Sequence, residues 1–257
     1  MPVDLDQEKL LAARAAVSRV RFGMRVALGT GSTAAFAVRL LAEKFPRREE
    51  ISAVASSQVT ERLARDLRIP VGPIKPHESF DVMLDGADEV TPTLAMTKGG
   101  GGALLREKLL ARLSRDRIIM VDHTKLVDRL GARWAIPIEI VPYARSVLID
   151  QLAEQRIAAA LRSTDGGETP FVTDNGNEIL DLRLPEPLDD PSTLDALLRS
   201  MVGVVETGIF VGLASRVFVG LPDGTVEEIV PGEPHPASPR VPRGARTAPR
   251  QRYRKAR

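Results

Sequence analysis

The chain predicts an α/β protein, a mostly parallel sheet flanked by helices with a smaller α+β domain inserted into it. Three observations carry this expectation. Short apolar runs alternate with helix-period segments through the first two-thirds of the 257 residues, the pattern of repeated βα units. Several of those runs end directly in glycine-rich or acidic turns, as strands do when a parallel sheet presents a ligand site at its carboxyl edge. From about residue 131 the texture changes: Pro137, Pro142 and Pro170 interrupt the chain, and an Asn-Gly pair at Asn175 and Gly176 marks a turn.

Taken in order, residues 10–20 space Ala and Leu as a helix does. Val26, Ala27 and Leu28 form a short strand that runs into GTGST at 29–33, with a helix over 34–45 behind it. Residues 51–54 are a second strand ending in Ala55, Ser56 and Ser57, followed by a helix over 58–68 with Leu63 and Leu67 inward. Val82, Met83 and Leu84 lead into DGADE at 85–89, and residues 118–121 form a strand ending at Asp122. Further on, residues 145–161 read as one long helix, 171–177 as a hairpin, and 194–201 as another helix. A hairpin of 217–219 and 226–230, turned by Pro222, Asp223 and Gly224, returns to the main sheet. The expected division is therefore 1–130 plus 204–230 for the sheet domain, 131–203 for the insertion, and 231–257 for a tail.

That tail holds six prolines, eight Lys or Arg and one acid (Glu233), so it carries +7; with a total of +2, the body carries −5. Such a composition cannot bury a core and is expected to be disordered. A mildly acidic body is not the footprint of a nucleic-acid-binding surface. No apolar run is long enough to cross a bilayer, the N-terminus lacks the pattern of a signal peptide, and no cysteine is present. A cytoplasmic protein without thiol chemistry or thiolate metal ligands is expected, and the three scattered histidines lack zinc-site spacing.

Three segments carry the candidate chemistry. In GTGST, Gly29 and Gly31 allow a tight turn, Ser32 or Thr33 is placed to cap the next helix, and the free amides there attract an anion. By itself this is also an ordinary strand-to-helix turn. It is neither a P-loop nor a complete dinucleotide fingerprint, so nucleotide binding is not favoured. DGADE sets Asp85 at a strand end, with Gly86, Ala87, Asp88 and Glu89 following. It reads as an acidic cap, as a carboxylate pair for proton transfer, or as a Mg²⁺ site, the last disfavoured by nearby Lys98. KGGGGALLREK at 98–108 is the strongest of the three. Four consecutive glycines are entropically costly and let several N–H groups converge on one oxygen. Glu107 emerges beside Ala103, Leu104, Leu110 and Ala111, and burial there would raise its pKa towards that of a general base. Lys125, just past a strand end, can reach the same sheet edge.

Read together, GTGSTA, Ser56-Ser57, DGADE and KGGGGALLREK resemble the type A ribose-5-phosphate isomerases. So do IPIEIVPYARS (136–146), VTDNGN (172–177), VVETGIF (204–210) and LPDGTVE (221–227), and the likeness spans roughly residues 5–230. The resemblance implies a Rossmann-like domain with an inserted α+β lid, assembled as a homodimer or homotetramer. The implied reaction interconverts ribose 5-phosphate and ribulose 5-phosphate through a cis-enediolate, in the non-oxidative pentose phosphate pathway, with no metal or organic cofactor. The base falls on Glu107, with Asp85 and Lys98 as further catalytic residues. Substrate binding falls on Thr30, Gly31, Ser32, Thr33, Asp85, Gly86, Ala87, Asp88, Lys98, Gly99, Gly100, Gly101 and Lys125. Two departures stand out. Gly102 replaces a more usual alanine, read as a small loosening of the helix start, and the basic tail lies outside the likeness. A sugar-phosphate sensor without turnover and a protein acting on nucleic acid through its tail are the competing functions.

Overall fold

A computed structural model describes residues 4–47, 50–164, 166–167 and 169–232. The chain opens with α1 (Leu5–Ser18), which starts five residues earlier than its apolar spacing predicts because the Asp4 carboxylate accepts hydrogen bonds from the Asp6 and Gln7 amides. Then β1 (Arg25–Leu28), α2 (Ser32–Lys44), β2 (Ser52–Ala55), α3 (Gln58–Asp66) and β3 (Phe80–Asp85) form two βα units and a third strand. The two-residue strands β4 (Glu89–Val90) and β5 (Met96–Thr97) precede α4 (Leu104–Leu113) and β6 (Ser114–Asp122). The second half runs β7 (Ile136–Ile140), α5 (Arg145–Glu154), β8 (Ala158–Leu161), β9 (Glu178–Arg183), α6 (Pro191–Ser200), β10 (Val204–Thr207), β11 (Ile209–Phe210), β12 (Arg216–Gly220) and β13 (Val226–Ile229).

The main sheet has the order β13-β12-β6-β3-β1-β2; every neighbouring pair is parallel except the closing β12-β13 hairpin. Right-handed crossovers through helices are what parallel neighbours require. On one face α1 and α2 bury Ala12, Ala13, Ala16, Ala37, Val38 and Leu41 against Val26, Leu28, Val82, Leu84, Ile118 and Met120. The alanines let the helices approach the sheet closely. Removing several such apolar side chains from water, at about 25 cal/mol per Å², is the main stabilising contribution. On the opposite face Leu110 and Ala111 of α4 meet Ala27, Phe80 and Met83.

A second sheet, β10-β7-β9-β8, is antiparallel throughout. It packs Ile136, Ile138, Ile140, Leu180 and Leu182 against Leu148 and Leu152 of α5 and Leu198 of α6. A small three-stranded sheet, β11-β5-β4, completes the fold. No helix among the described residues is long and apolar enough to cross a membrane.

Three sequence expectations change. The long helix over 145–161 stops at Glu154: Arg156 turns left-handed (φ 60) and the Ile157 amide donates back to Leu152 O at 2.9 Å. The run Ala158-Ala159-Ala160-Leu161 would propagate a helix on its own, but it pairs with β9, and Ala159 and Leu161 pack on the second core. Tertiary burial outweighs propensities worth only tenths of a kcal/mol per residue. The hairpin at 171–177 keeps its turn, with Gly176 at φ 81, but its first arm makes only the single bridge Val172 to Glu178. The arm after the turn, β9, pairs with β7 and β8 instead. Finally, residues 204–207, expected to belong to the sheet domain, form β10 and pair with β7 of the second sheet, so the main sheet is rejoined only by the expected hairpin, β12 and β13. The tail expected to be disordered falls, from residue 233 on, outside the described residues.

Candidate active site

The register sets Leu28 beside Leu84, and Leu84 beside Ile118. The loops after β1, β3 and β6 therefore leave the sheet along one edge. They meet the glycine loop before α4 around a cavity of about 370 Å³. Thr30, Gly31, Ser32, Thr33, Gly86, Ala87, Asp88, Lys98, Gly99, Gly100, Gly101, Glu107 and Lys125 all line it. Of the residues expected to act in catalysis or substrate binding, Asp85 alone is not part of the lining.

At one side lies the start of α2. Its N-cap is Gly31, at φ 113, and no side chain caps the helix. Ser32 and Thr33, expected to cap it, are instead its first residues. The first-turn amides are thus left for a ligand, and the helix dipole favours an anion there. Thr30 is held from below, its Oγ1 lying 2.7 Å from Ser56 Oγ and 2.8 Å from Ser57 Oγ, while Ser57 caps α3. Gly29 has no alternative: an added Cβ would sit 2.0 Å from Asp85 Oδ1.

The opposite side is a buried charge cluster. Lys98 Nζ stands 2.7 Å from Asp85 Oδ2 and 3.2 Å from Glu107 Oε2, and donates to Gly86 O at 2.7 Å. All three side chains are essentially removed from solvent. Asp85 Oδ1 also accepts from the Gly86 and Thr30 amides at 2.8 and 3.2 Å. Among the described residues, Glu107 Oε2 has no partner beyond the ion pair with Lys98. Burial raises the Glu107 pKa, the Asp85 carboxylate raises it further, and despite the opposing pull of Lys98 it reaches about 8. Burial likewise raises Asp85, against the pull of Lys98. Burial would lower Lys98, but Asp85 and Glu107 more than offset this and its pKa is raised. Two carboxylates sharing one ammonium hold a proton between them near neutrality, the poise required of an acid–base catalyst.

The three acids of DGADE diverge. Asp85 backs Lys98, whereas Asp88 faces the cavity and accepts from the Gly100 amide at 2.8 Å. Glu89 turns away: its two oxygens accept from the Gly131, Arg133 and Trp134 amides and the Thr97 hydroxyl at 2.6–3.0 Å. It thereby fixes the loop that carries Trp134 to the cavity. A shared Mg²⁺ site, one of the readings left open for this segment, is not what these directions build.

The glycine loop closes as a turn in which the Gly102 amide donates to Gly99 O at 2.9 Å, with Gly99 at φ 98 and Gly102 at φ 80. Gly102 is not a loosening of the helix start. A Cβ there would lie 2.4 Å from the Phe171 ring in a left-handed backbone. Gly102→Ala is expected to lower unfolding free energy by about 2–4 kcal/mol, from left-handed strain plus overpacking. Urea denaturation measures it, and a loss under about 0.5 kcal/mol, the scale of a neutral surface change, would refute this account of the glycine.

Lys125 reaches the cavity with its Nζ 4.3 Å over the Trp134 ring. Leu5, Lys9, Asp122, Thr124 and Trp134 also line the cavity and were not singled out in the sequence. Asp122 was named only as a strand end. Lys9 sits on a polar helix face with nothing local to mark it. It is brought in because the neighbouring Glu8 carboxylate holds His123, with Nδ1 at 2.6 Å, and so ties α1 to the start of the loop after β6.

Known proteins share this architecture. The ribose 5-phosphate isomerase A (phosphoriboisomerase A) family matches residues 52–224. The ribose-5-phosphate isomerase A of Deinococcus radiodurans is 44% identical over 227 residues, covering 88% of this chain and 99% of its own length. A solved D-ribose-5-phosphate isomerase in complex with phospho-erythronic acid is 37% identical with a TM-score of 0.84, covering 88% of this chain and 99% of that one. The structure of ribose 5-phosphate isomerase A from Methanocaldococcus jannaschii, 36% identical, has a TM-score of 0.81 over 86% of this chain and 97% of that one. With the mostly parallel α/β architecture, the motifs and the matched length in agreement, the chain belongs to the ribose 5-phosphate isomerase A family of isomerases.

Proposed function

We propose that this protein interconverts ribose 5-phosphate and ribulose 5-phosphate through a cis-enediolate, with Glu107 as the base. The observation that carries this reading is the buried Glu107 carboxyl, with a pKa raised to about 8 and an ammonium 3.2 Å away, in the wall of a cavity whose other side is an uncapped helix start. The phosphate of the open-chain sugar docks on the amides of Gly31, Ser32 and Thr33, with Lys9 and Lys125 adding positive charge. The C1–C2 end then lies towards Glu107 and the glycine loop.

Glu107 removes the proton from C2, and the electron pair forms the C1–C2 double bond as charge moves onto O1. Lys98 and the N–H groups of the glycine loop stabilise that charge. The hydroxyl proton on O2 passes to O1, Glu107 exchanges its proton with solvent at the enediolate stage and protonates C1, and a carbonyl is left at C2. Asp88, facing the cavity, is placed to exchange the hydroxyl protons and to assist ring opening. Asp85, behind the wall, acts through Lys98. The reading extends to a cytoplasmic homo-oligomer of the pentose phosphate pathway, which the family likeness supports.

The test is incubation of chelator-treated protein with ribose 5-phosphate in D2O, followed by NMR. The expected result is ribulose 5-phosphate carrying solvent deuterium at C1. Turnover without deuterium that also survives Glu107→Gln would replace the enediolate with a hydride shift. Binding without turnover would make the protein a sensor.

A further inference from the structure

The second domain inserts one buried cation into the catalytic loop. Arg162 follows β8 directly and is 4% exposed. Its Nη1 donates to Gly99 O at 2.7 Å and to Gly100 O at 3.2 Å. Its Nε donates to Asp181 Oδ2 at 2.9 Å, and its Nη2 pairs with the other Asp181 oxygen. Asp181 sits on β9, so the guanidinium is braced by the antiparallel sheet before it reaches the loop.

The carbonyls that Arg162 engages decide where the amides point. In a planar trans peptide the C=O and N–H are directed oppositely. Gly99 O points to Arg162, and the N–H of that peptide, on Gly100, points the other way, to Asp88 Oδ2 in the cavity wall at 2.8 Å. Gly100 O points to Arg162 as well, so the Gly101 N–H also faces the cavity side. Gly101 lines the cavity, is exposed, and its N–H has no acceptor among the described residues. A peptide joining two glycines turns over at little steric cost. Turned over, it would present a carbonyl oxygen to the developing enediolate charge.

We propose that Arg162 is a positioning residue for isomerisation, locking the Gly99-Gly100-Gly101 peptides so that the Gly101 amide faces the reacting oxygen. This rests on the enediolate reading above. It makes the second domain a component of the catalytic centre, although Glu107 stands on α4 and Lys98 in the loop before it, outside that domain's sheet.

The experiment compares wild type with Arg162→Lys and Arg162→Met, measuring kcat, KM, the pH profile of kcat/KM and inhibition by phospho-erythronic acid. That acid's carboxylate offers a planar pair of negatively charged oxygens, as the cis-enediolate does with O1 and O2 on adjacent carbons. Arg162→Lys keeps the buried charge but cannot hold two carbonyls and Asp181 together. Its kcat is expected to fall about 10- to 100-fold, less than the roughly 10²- to 10³-fold lost when an oxyanion donor is removed outright, with KM changed by less than about threefold. The inhibition constant should rise in parallel with the loss of kcat/KM, as expected for a group that recognises the transition state. The pH midpoint should stay in place, because Glu107 is untouched. Should Arg162→Met fail to fold, Arg162→Lys still gives the reading. Unchanged kcat in the variants, or unchanged phospho-erythronic acid affinity beside a lower melting temperature, would overturn the proposal. An inactive wild type would instead sink the isomerase reading, and the inhibitor arm would still report on the amide.

Discussion

Glu107→Gln is expected to lower kcat by about 10³- to 10⁴-fold, at the upper end of what a positioned general base contributes, while leaving sugar-phosphate binding within a few-fold. The amide is isosteric but cannot accept the C2 proton. The other carboxylate at Lys98, Asp85, is fully buried behind it and is no substitute. The same group gives the wild type opposite pH dependences of activity and stability. Burial, reinforced by Asp85, raises its pKa from 4.5 to about 8, so kcat/KM should rise with pH through about 8 as the carboxylate forms. A carboxyl whose folded-state pKa exceeds its unfolded value binds its proton more tightly in the native state. The stability it contributes is full below about pH 4.5 and is lost as pH rises through about 8. Wild type should therefore lose a few kcal/mol between pH 5 and 9 that Glu107→Gln does not lose, since each tenfold change in proton affinity is worth about 1.4 kcal/mol. Urea titrations of both proteins at the two pH values, with a coupled turnover assay, measure both effects. Survival of kcat within tenfold would remove Glu107 from the mechanism.

Lys98→Met should have the largest effect on stability. Its ammonium is the only cation within ion-pair distance of Asp85 and of Glu107 among the described residues. Its removal leaves two carboxyl groups buried together beneath the cavity. Breaking a buried pair from one side costs about 3–5 kcal/mol, and that range is expected in urea at pH 8. The deficit should shrink at pH 5. With no cation to hold them ionised, both carboxyls take up protons there, and the uncompensated charge disappears. Turnover should fall by at least about 10²-fold, the usual result of removing one electrostatic stabiliser of a developing oxyanion. Equal stability of variant and wild type at pH 8 would show that the cluster is neutralised in some other way. Such a result would undercut the assignment of Lys98 to the enediolate charge.

Much of the fold was legible because its signals are local. The runs at β1, β2, β3 and β6 are apolar and end in turn chemistry, and α2, α3 and α6 carry helical spacing, so each element announces itself within about ten residues. The failures are segments whose own preference loses to a partner. Residues 158–161 favour a helix until β9 offers pairing and the second core offers burial. The two-residue strands β4, β5 and β11 are too short for any periodicity and exist only because they meet one another.

The candidate site divides in the same way. Sequence alone determined the kinds of groups available and where most of them stand: small residues at strand ends, Lys98 and Glu107 about one helix start apart, and glycines where backbone must approach ligand. Tertiary structure decided where each group points and what it touches. It buried Asp85 against Lys98, turned Asp88 to the cavity and spent Glu89 on the amides of residues 131, 133 and 134. It also brought Lys9, Trp134 and Arg162 from distant segments. The reason is physical. A residue's type and local spacing are properties of short stretches of chain. Burial, the pKa change that follows from it and the direction of a peptide plane arise only when segments far apart in sequence close around the same space.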